Sequence, residues 1–388
     1  MLIRPAPRAA VLLDTASHDD VAALRHLYFT VYGSVYPLPV GTDPAAMAAA
    51  VDDPGTRWHV ARHAVTGQVI GSAVLRGDRA ARIGKVEALA VHPEHAGAGI
   101  GRALLSELCE AAVGPGGELD SVYATARCVS PAPQRALLRH GFRPAGLLPA
   151  AVQVCGRESL ALLVRHRDGV LDRRAPLGEL PGQIVSLLDA ATSAGIAFDG
   201  VRPGPDTPAV RPGQAAEPME VVQEPHFVRR HYARTARRAP AGLPWGEPNA
   251  LLAPVDGRFE TYAVIDRTSG CGMLLDTEPH DPAADAALGD VVQAMADRGA
   301  LYVEAVLPLA DRPRLDLYLA HGFVPTGVYP AMRFDGERWH DHVFLSHGAS
   351  RPDFRALDVD EHFTRYLQHY RRMWTATYLS TFPEDSQR

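Results

Sequence analysis

Apolar and polar positions recur with two periods along this chain, and the switches between them outline its elements. Ala9 to Leu13 is a short apolar strand. Ser17, followed three residues later by Asp20, has the form of a capping box opening a helix from Asp19 to Tyr32. A stretch rich in Tyr, Pro and Gly, Tyr32 to Pro44, reads as loop. Trp58 to Arg62 and Val69 to Leu75 flank the turn-forming Thr66-Gly67 and predict a hairpin. Lys85 to Val91 alternates Glu87/Leu89/Val91 against Val86/Ala88/Ala90, a strand with two unlike faces. From Gly101 to Val113 the period changes: Leu104, Leu105, Leu108, Ala111 and Ala112 fall at helical spacing. Val122 to Cys128 returns as a strand, followed by a helix from Pro133 to His140. The fold class this predicts is α/β, mixed and α+β-like.

The chain also repeats itself. The run His140-Gly-Phe-Arg-Pro-Ala-Gly-Leu-Leu-Pro-Ala150 recurs as His321-Gly-Phe-Val-Pro-Thr-Gly-Val-Tyr-Pro-Ala331, a constant offset of 181 with seven of eleven positions identical. The same offset pairs Arg157 with Arg338 and His166 with His347. A strand, Tyr302 to Leu307, and a helix, Arg312 to Ala320, precede the second copy as their counterparts precede the first. Two copies of one fold are expected. Pro203 to Pro218 is rich in Pro and Gly, which deny it helix and ladder, and reads as a linker. The apolar segment from Pro181 to Ile196 predicts a bridging helix. The expected layout is a first domain over 1–166, a bridge and linker over 167–218, and a second domain over 219–388.

Length changes the picture little: 388 residues and 41.8 kDa exceed what one core usually supports. Charge excludes more. With 39 basic against 45 acidic residues, a net charge of −6, the chain has no basic footprint for nucleic acid. Its one lysine is Lys85. Four cysteines, Cys109, Cys128, Cys155 and Cys271, form no CxxC pair and are too few for a disulfide scaffold. No apolar run reaches membrane-spanning length and the N-terminal stretch lacks a cleavage pattern. A cytoplasmic protein is expected, with no membrane partner.

Chemistry concentrates in Val86 to Leu105: a strand, a glycine-rich loop (Ala96-Gly97-Ala98-Gly99-Ile100-Gly101), then a helix. Glycines so spaced expose successive backbone N–H groups, and the helix directs its positive end to the same place, so a diphosphate can be held without lysine. The loop has neither a Walker Lys-Ser/Thr pair nor GxGxxG spacing.

These residues resemble the GNAT acyltransferase superfamily. Its motif A is a strand ending LxV-x-Pro, then R/Q-x-x-G-x-G/A and a helix; here stand Leu89-Ala90-Val91-His92-Pro93 and the loop. A second signature, a helix running into Gly-Phe, is matched by Leu137 to Phe142. One departure is Ala96 in place of the usual Arg or Gln. The resemblance implies two tandem GNAT folds, each a mostly antiparallel twisted sheet flanked by helices, with the intact motif in the first. It implies acetyl-CoA as co-substrate, no metal, and a small-molecule amine as acceptor. Gly97 to Gly101, with Ala96, Ala98, Ile100 and Arg102, would grip the pyrophosphate; Leu89 N–H would face the thioester carbonyl, with Ala90 alongside, and Val91 would pair with pantetheine on a strand that splays from its neighbour.

Glu87 is the candidate base; a strand carboxylate paired with Lys85 is the structural alternative. The family's tyrosine acid would fall at Leu137, so the acid must come from elsewhere: Tyr36 first, with Tyr32, Ser130 or Cys128 as substitutes, or His340 or Tyr329 of the second copy. That copy carries Tyr318 at the acid position, but Leu274 to Pro282, including Asp281, has no glycine and three acids where a diphosphate would sit. His340-Asp341-His342 lacks further ligands at metal spacing and reads as a solvated or substrate-facing edge. His362 to Tyr378 is an amphipathic aromatic helix closing the second domain or a homodimer interface. Acyl-CoA binding without transfer, O-acyl transfer and malonyl-CoA decarboxylation are the alternative activities.

Overall fold

The computed structural model describes residues 10–36, 38–154, 156–209, 218–235, 246–279, 282–348 and 352–379. Ala9, Cys155, His280, Asp281 and residues 210–217 of the expected linker lie outside them. The chain divides into two compact units: 1–125, 132–142 and 163–168 in one, 126–131, 143–162 and 169–388 in the other.

The first unit carries the strands β1 (Val11–Thr15), β2 (Thr56–His63), β3 (Val69–Asp78), β4 (Ile83–Val91) and β5 (Ser121–Arg127), adjacent in chain order. The first four pair antiparallel and β5 runs parallel to β4. Helices α1 (Val21–Tyr32), α2 (Pro39–Thr42), α3 (Pro44–Asp52), α4 (Ile100–Val113) and α5 (Ala132–Leu138) complete it. Leu24, Leu27 and Tyr28 of α1 pack with Trp58, Val60, Val74, Ala88 and Ala90. On α4, Leu104, Leu105 and Leu108 are buried, as their spacing predicts. This helix approaches β3 so closely that a Cβ on Gly71 would lie 2.6 Å from Ile100 Cγ2.

Tyr32 to Pro44 is not the loop expected. It holds a 3-10 turn, Gly33–Val35, then α2 and the start of α3. Proline suits these positions because Pro39 and Pro44 open their helices, where no N–H is needed. Asp43 caps α3, its carboxylate accepting from Ala45 N at 2.9 Å. The expected Ser17/Asp20 capping pair forms, with Ser17 N–H and hydroxyl both donating to the Asp20 carboxylate, at 2.9 and 3.1 Å.

The second unit begins with β6 (Arg143–Gln153) and β7 (Arg157–His166), then β8 (Glu179–Leu180), which pairs β9 (Arg202–Pro203). It continues through β10 (Met219–Val222), β11 (Ala250–Pro254), β12 (Glu260–Asp266), β13 (Cys271–Glu278), β14 (Tyr302–Pro308), β15 (Val324–Phe334) and β16 (Trp339–Gly348). Its main sheet runs β7-β6-β15-β16-β14-β13-β12-β11-β10. The helices are α6 (Gly182–Ser193), α7 (Pro225–Thr235), α8 (Pro282–Ala286), α9 (Leu288–Asp297), α10 (Arg312–Ala320) and α11 (Thr364–Tyr378). α11 lies on this unit's own elements: Tyr366 donates to Pro144 O at 2.9 Å, and His369 bridges Ser186 and Pro325 O.

The repeated segments meet here. β6 pairs antiparallel with β15, and Gly146 stands opposite Gly327, its own counterpart at the offset of 181. A segment that pairs with its copy through equivalent residues defines a local twofold axis between the strands. The contact needs glycine, since a Cβ on Gly146 would come 2.3 Å from Gly327 Cα. Both copies also carry an alanine at positive φ in the same place, Ala150 at 49° and Ala331 at 51°.

The linker begins later than expected. Arg202 and Pro203 form β9, and the Gln183 side chain clamps Thr207, donating to its carbonyl at 2.9 Å and accepting from its N–H at 3.0 Å. β16 is an interior strand, flanked by β15 and β14, so His342 is buried instead of solvated. His340 pairs with Asp335 at 2.7 Å, and Tyr329 is fully buried.

Candidate active site

The site is organised by an irregularity in β4. Val74 faces Glu87, but two residues on Ser72 faces Ala90, so β4 carries one extra residue. Ala88 takes φ 54°, a region an L-residue enters at a cost of about 1–2 kcal/mol. The even alternation read from the sequence is broken at this bulge. The pairing with β5 covers Ile83 to Val86 and stops there. Beyond Val86, β4 keeps its β3 partner but has lost its parallel neighbour along Glu87 to Val91.

What holds the bulge is a set of aromatic side chains on and after α1. The Tyr28 hydroxyl donates to Ala88 O at 2.8 Å, and the Tyr32 hydroxyl donates to Leu89 O. Behind Tyr28, Trp58 Nε1 donates to Ser72 Oγ at 2.7 Å, and Ser72 Oγ lies 2.9 Å from the Tyr28 oxygen. Because Tyr28 spends its proton on Ala88, Ser72 must donate to Tyr28; the chain of three bonds has one consistent direction. Tyr28, Tyr32 and Tyr36 stack, with centroids 4.4 Å apart for Tyr32–Tyr36 and 5.6 Å for Tyr28–Tyr36. Tyr28 and Ser72 were not among the expected site residues. Tyr28, Tyr32 and Tyr36 recur every four residues, a spacing that could have revealed the stack.

Glu87 is nearly covered, its side chain 7% exposed, with Lys85 Nζ at 2.7 Å and Arg76 Nη1 at 3.8 Å. The Lys85 pair is thus present. Burial drives the Tyr36 phenol well above its ordinary range, reinforced by Tyr32, Tyr28 and then Glu87. A phenol so placed stays protonated at neutral pH, the state an acid needs. The substitute Cys128 is buried and its thiol pushed up to about 12 by burial, then Glu158. Leu137 is buried as a core side chain.

After Val91 the chain makes a 3-10 turn, Pro93–His95, and enters the loop. Gly97 takes φ 78° and Gly99 φ 86°, and a Cβ built on either meets nothing within 4 Å, so both face open space. Gly99 caps α4; the N–H groups of Ile100, Gly101 and Arg102 form its first turn and have no partner within the helix. The Ile100 side chain is buried against the sheet, leaving only its backbone for a ligand, whereas Ala98 and Arg102 are exposed. His92 and His95 stand at the loop's entrance with rings 5.9 Å apart, and His63 lies 6.0 Å from His95; the sequence assigned none of the three a role. Among the described residues no group of His, Cys, Asp or Glu is arranged to hold a metal ion. The open backbone cradle, the positive helix end and the unpaired edge of β4 fit a nucleotide diphosphate with an extended arm.

Comparison with known proteins bears on this stretch. Residues 54–144, from just before β2 to the start of β6, match the family model described as "Acetyltransferase (GNAT) domain". The strand, loop and helix described above fall inside the matched stretch. No curated protein matches the chain. Solved structures similar to it include the ribosomal-protein-S18-alanine N-acetyltransferase from Escherichia coli (15% identity, 40% of this chain and 94% of that one, TM-score 0.34). Others are the spermidine N-acetyltransferase from Vibrio cholerae in complex with CoA and spermine (17%, 40% and 95%, 0.35) and a putative phosphinothricin N-acetyltransferase (22%, 40% and 98%, 0.35). No helix among the described residues is long and apolar enough to cross a membrane.

Proposed function

We propose that this chain is an N-acyltransferase that uses acetyl-CoA and transfers directly to a small-molecule amine. The observation that carries the reading is the pairing of β4, which ends at Val86 on one side just where the open Gly97–Gly99 cradle and the first turn of α4 follow. Bound there, acetyl-CoA supplies an activated acyl group. Gly97 to Arg102 would hold its diphosphate by backbone N–H groups and the helix end, a contribution of about 0.3–2 kcal/mol from the helix field alone. Leu89, Ala90 and Val91 would offer the unpaired strand edge to its arm. Glu87 takes the proton from the acceptor amine, and Tyr36 holds a proton for the leaving thiolate. The second unit is read as a degenerate copy of the same fold: its sequence from Thr277 to Pro282 supplies no glycine for a cradle.

The reading predicts one CoA per chain by calorimetry, with about 2.7 kcal/mol of added stability at about 100 times Kd, and thiol release from acetyl-CoA when amines are supplied. Two equivalent sites or none would overturn it. Gly99→Val should abolish binding, since valine disfavours the left-handed cap; unchanged affinity in that variant would move the diphosphate elsewhere. A second reading, binding without transfer, is favoured by the Glu87–Lys85 ion pair. CoA binding with no thiol release from any amine would establish it.

A further inference from the structure

The second unit contains a polar surface that the transfer reaction does not use. On β12 and β13, Glu260 stands directly opposite Glu278, and Tyr262 opposite Asp276. Cross-strand partners share a face, so three carboxylates and a phenol lie together, and like charges placed opposite one another destabilise a ladder. Helix α7 covers this face. His231 Nε2 sits 2.9 and 3.0 Å from the two oxygens of Glu260; Tyr262 donates to Glu260 at 2.6 Å; Thr235 lies 2.7 Å from the Tyr262 hydroxyl. The nearby arginines Arg229 and Arg258 pair with Glu247 and Asp256. The carboxylate of Glu278 meets no partner among the described residues.

A second, independent observation concerns Tyr232. Its ring packs against Tyr262, centroids 4.7 Å apart, and the residue is only 9% exposed, yet its buried hydroxyl has no hydrogen-bond partner among the described residues. Leaving such a group unsatisfied is destabilising. Its surroundings are acidic: burial first, then Asp276 and Glu278, push the phenol up to about 12. Glu260 and His231 are about a third exposed, so the face grades from a buried aromatic floor to a solvent-accessible acidic rim. Among the described residues no group here is arranged to hold a metal ion. Carboxylates beside two phenol rings instead suit an organic ammonium, which hydrogen-bonds to the acids and lies against the rings.

We propose that the face formed by Tyr232, Glu260, Tyr262, Asp276 and Glu278 binds a small organic amine, separately from the transfer site. This inference does not depend on the acetyl-transfer reading. The test titrates the full-length protein with 1,4-diaminobutane, with 1,4-butanediol as the uncharged control. The diamine should bind and raise the melting temperature at millimolar concentration, and the diol should not. Glu278→Gln should weaken diamine binding by roughly tenfold or more, the value of a charged hydrogen bond. Tyr232→Phe should remove the diamine response while leaving the ligand-free melting temperature unchanged or higher, and CoA affinity should be untouched in both variants. No diamine binding by the wild type, wild-type diamine affinity in either variant, or a lowered ligand-free melting temperature in Tyr232→Phe would each overturn the proposal.

Discussion

Acidification from pH 7 to pH 5 should destabilise the second unit by about 3 kcal/mol, a fall of roughly 10 °C in melting temperature for a unit of this size. Three histidines drive it. Burial lowers His342 to about 3, and His347 and His369 to about 4. His342 also feels Arg333 and His340, His347 feels His321, and His369 feels Arg372. His369 is locked neutral: its Nε2–H donates to Pro325 O at 3.0 Å, which leaves Nδ1 to accept from Ser186 Oγ at 2.7 Å. Each group has a folded pKa below its unfolded value near 6.5, so the unfolded chain binds more protons. The stability they confer is complete above pH 6.5 and is lost as pH falls toward 4.

Glu304 works the other way. It is buried with Tyr302 donating to it at 3.0 Å, and burial raises it to about 7 from an ordinary 4.5. The folded state binds the extra proton between those values, so this residue's cost shrinks as pH falls from 7 to 4.5 and offsets about 2 kcal/mol of the histidine loss. Glu304→Gln should therefore make the acid fall steeper, by about the same 2 kcal/mol. Calorimetric scans of both proteins between pH 5 and 7.5 measure this. A melting temperature that is flat or rises on acidification would show that the histidines charge in place.

His342 and His347 were named from the sequence, but the protonation state of none of the four could be read there, because it depends on burial across strands distant in the chain. The candidate site was more legible. Its loop is specified locally: glycines at 97 and 99 are what a chain needs to turn at positive φ and start a helix. The bulge at Ala88 was not readable, because alanine has no preference for that conformation. It is imposed by Tyr28 and Tyr32, which reach β4 from sixty and fifty-seven residues away. The helices at Pro39 and Pro44 were missed because proline was weighed as a breaker and not as a first residue. The repeat was visible as letters, but its consequence, Gly146 opposite Gly327, is a property of strand order that no local pattern states.

Glu87→Gln should lower kcat/KM for the amine by about 10²–10⁴ with CoA affinity unchanged. The argument is positional. Glu87 is the last β4 residue before the bulge, one step past the end of the β5 pairing, so it flanks the unpaired edge where an acceptor would meet the acyl group. Lys85 Nζ at 2.7 Å and Arg76 Nη1 at 3.8 Å hold its carboxylate in place. Two readouts separate this role from that of a mere ion-pair partner. In the catalytic case turnover falls and the acid limb of the pH–rate profile disappears with the carboxylate. In the structural case turnover and the acid limb both stay near wild type. Lys85→Met completes the comparison: it should lower turnover if the lysine orients a working base, and leave turnover unmoved if Glu87 only anchors the strand.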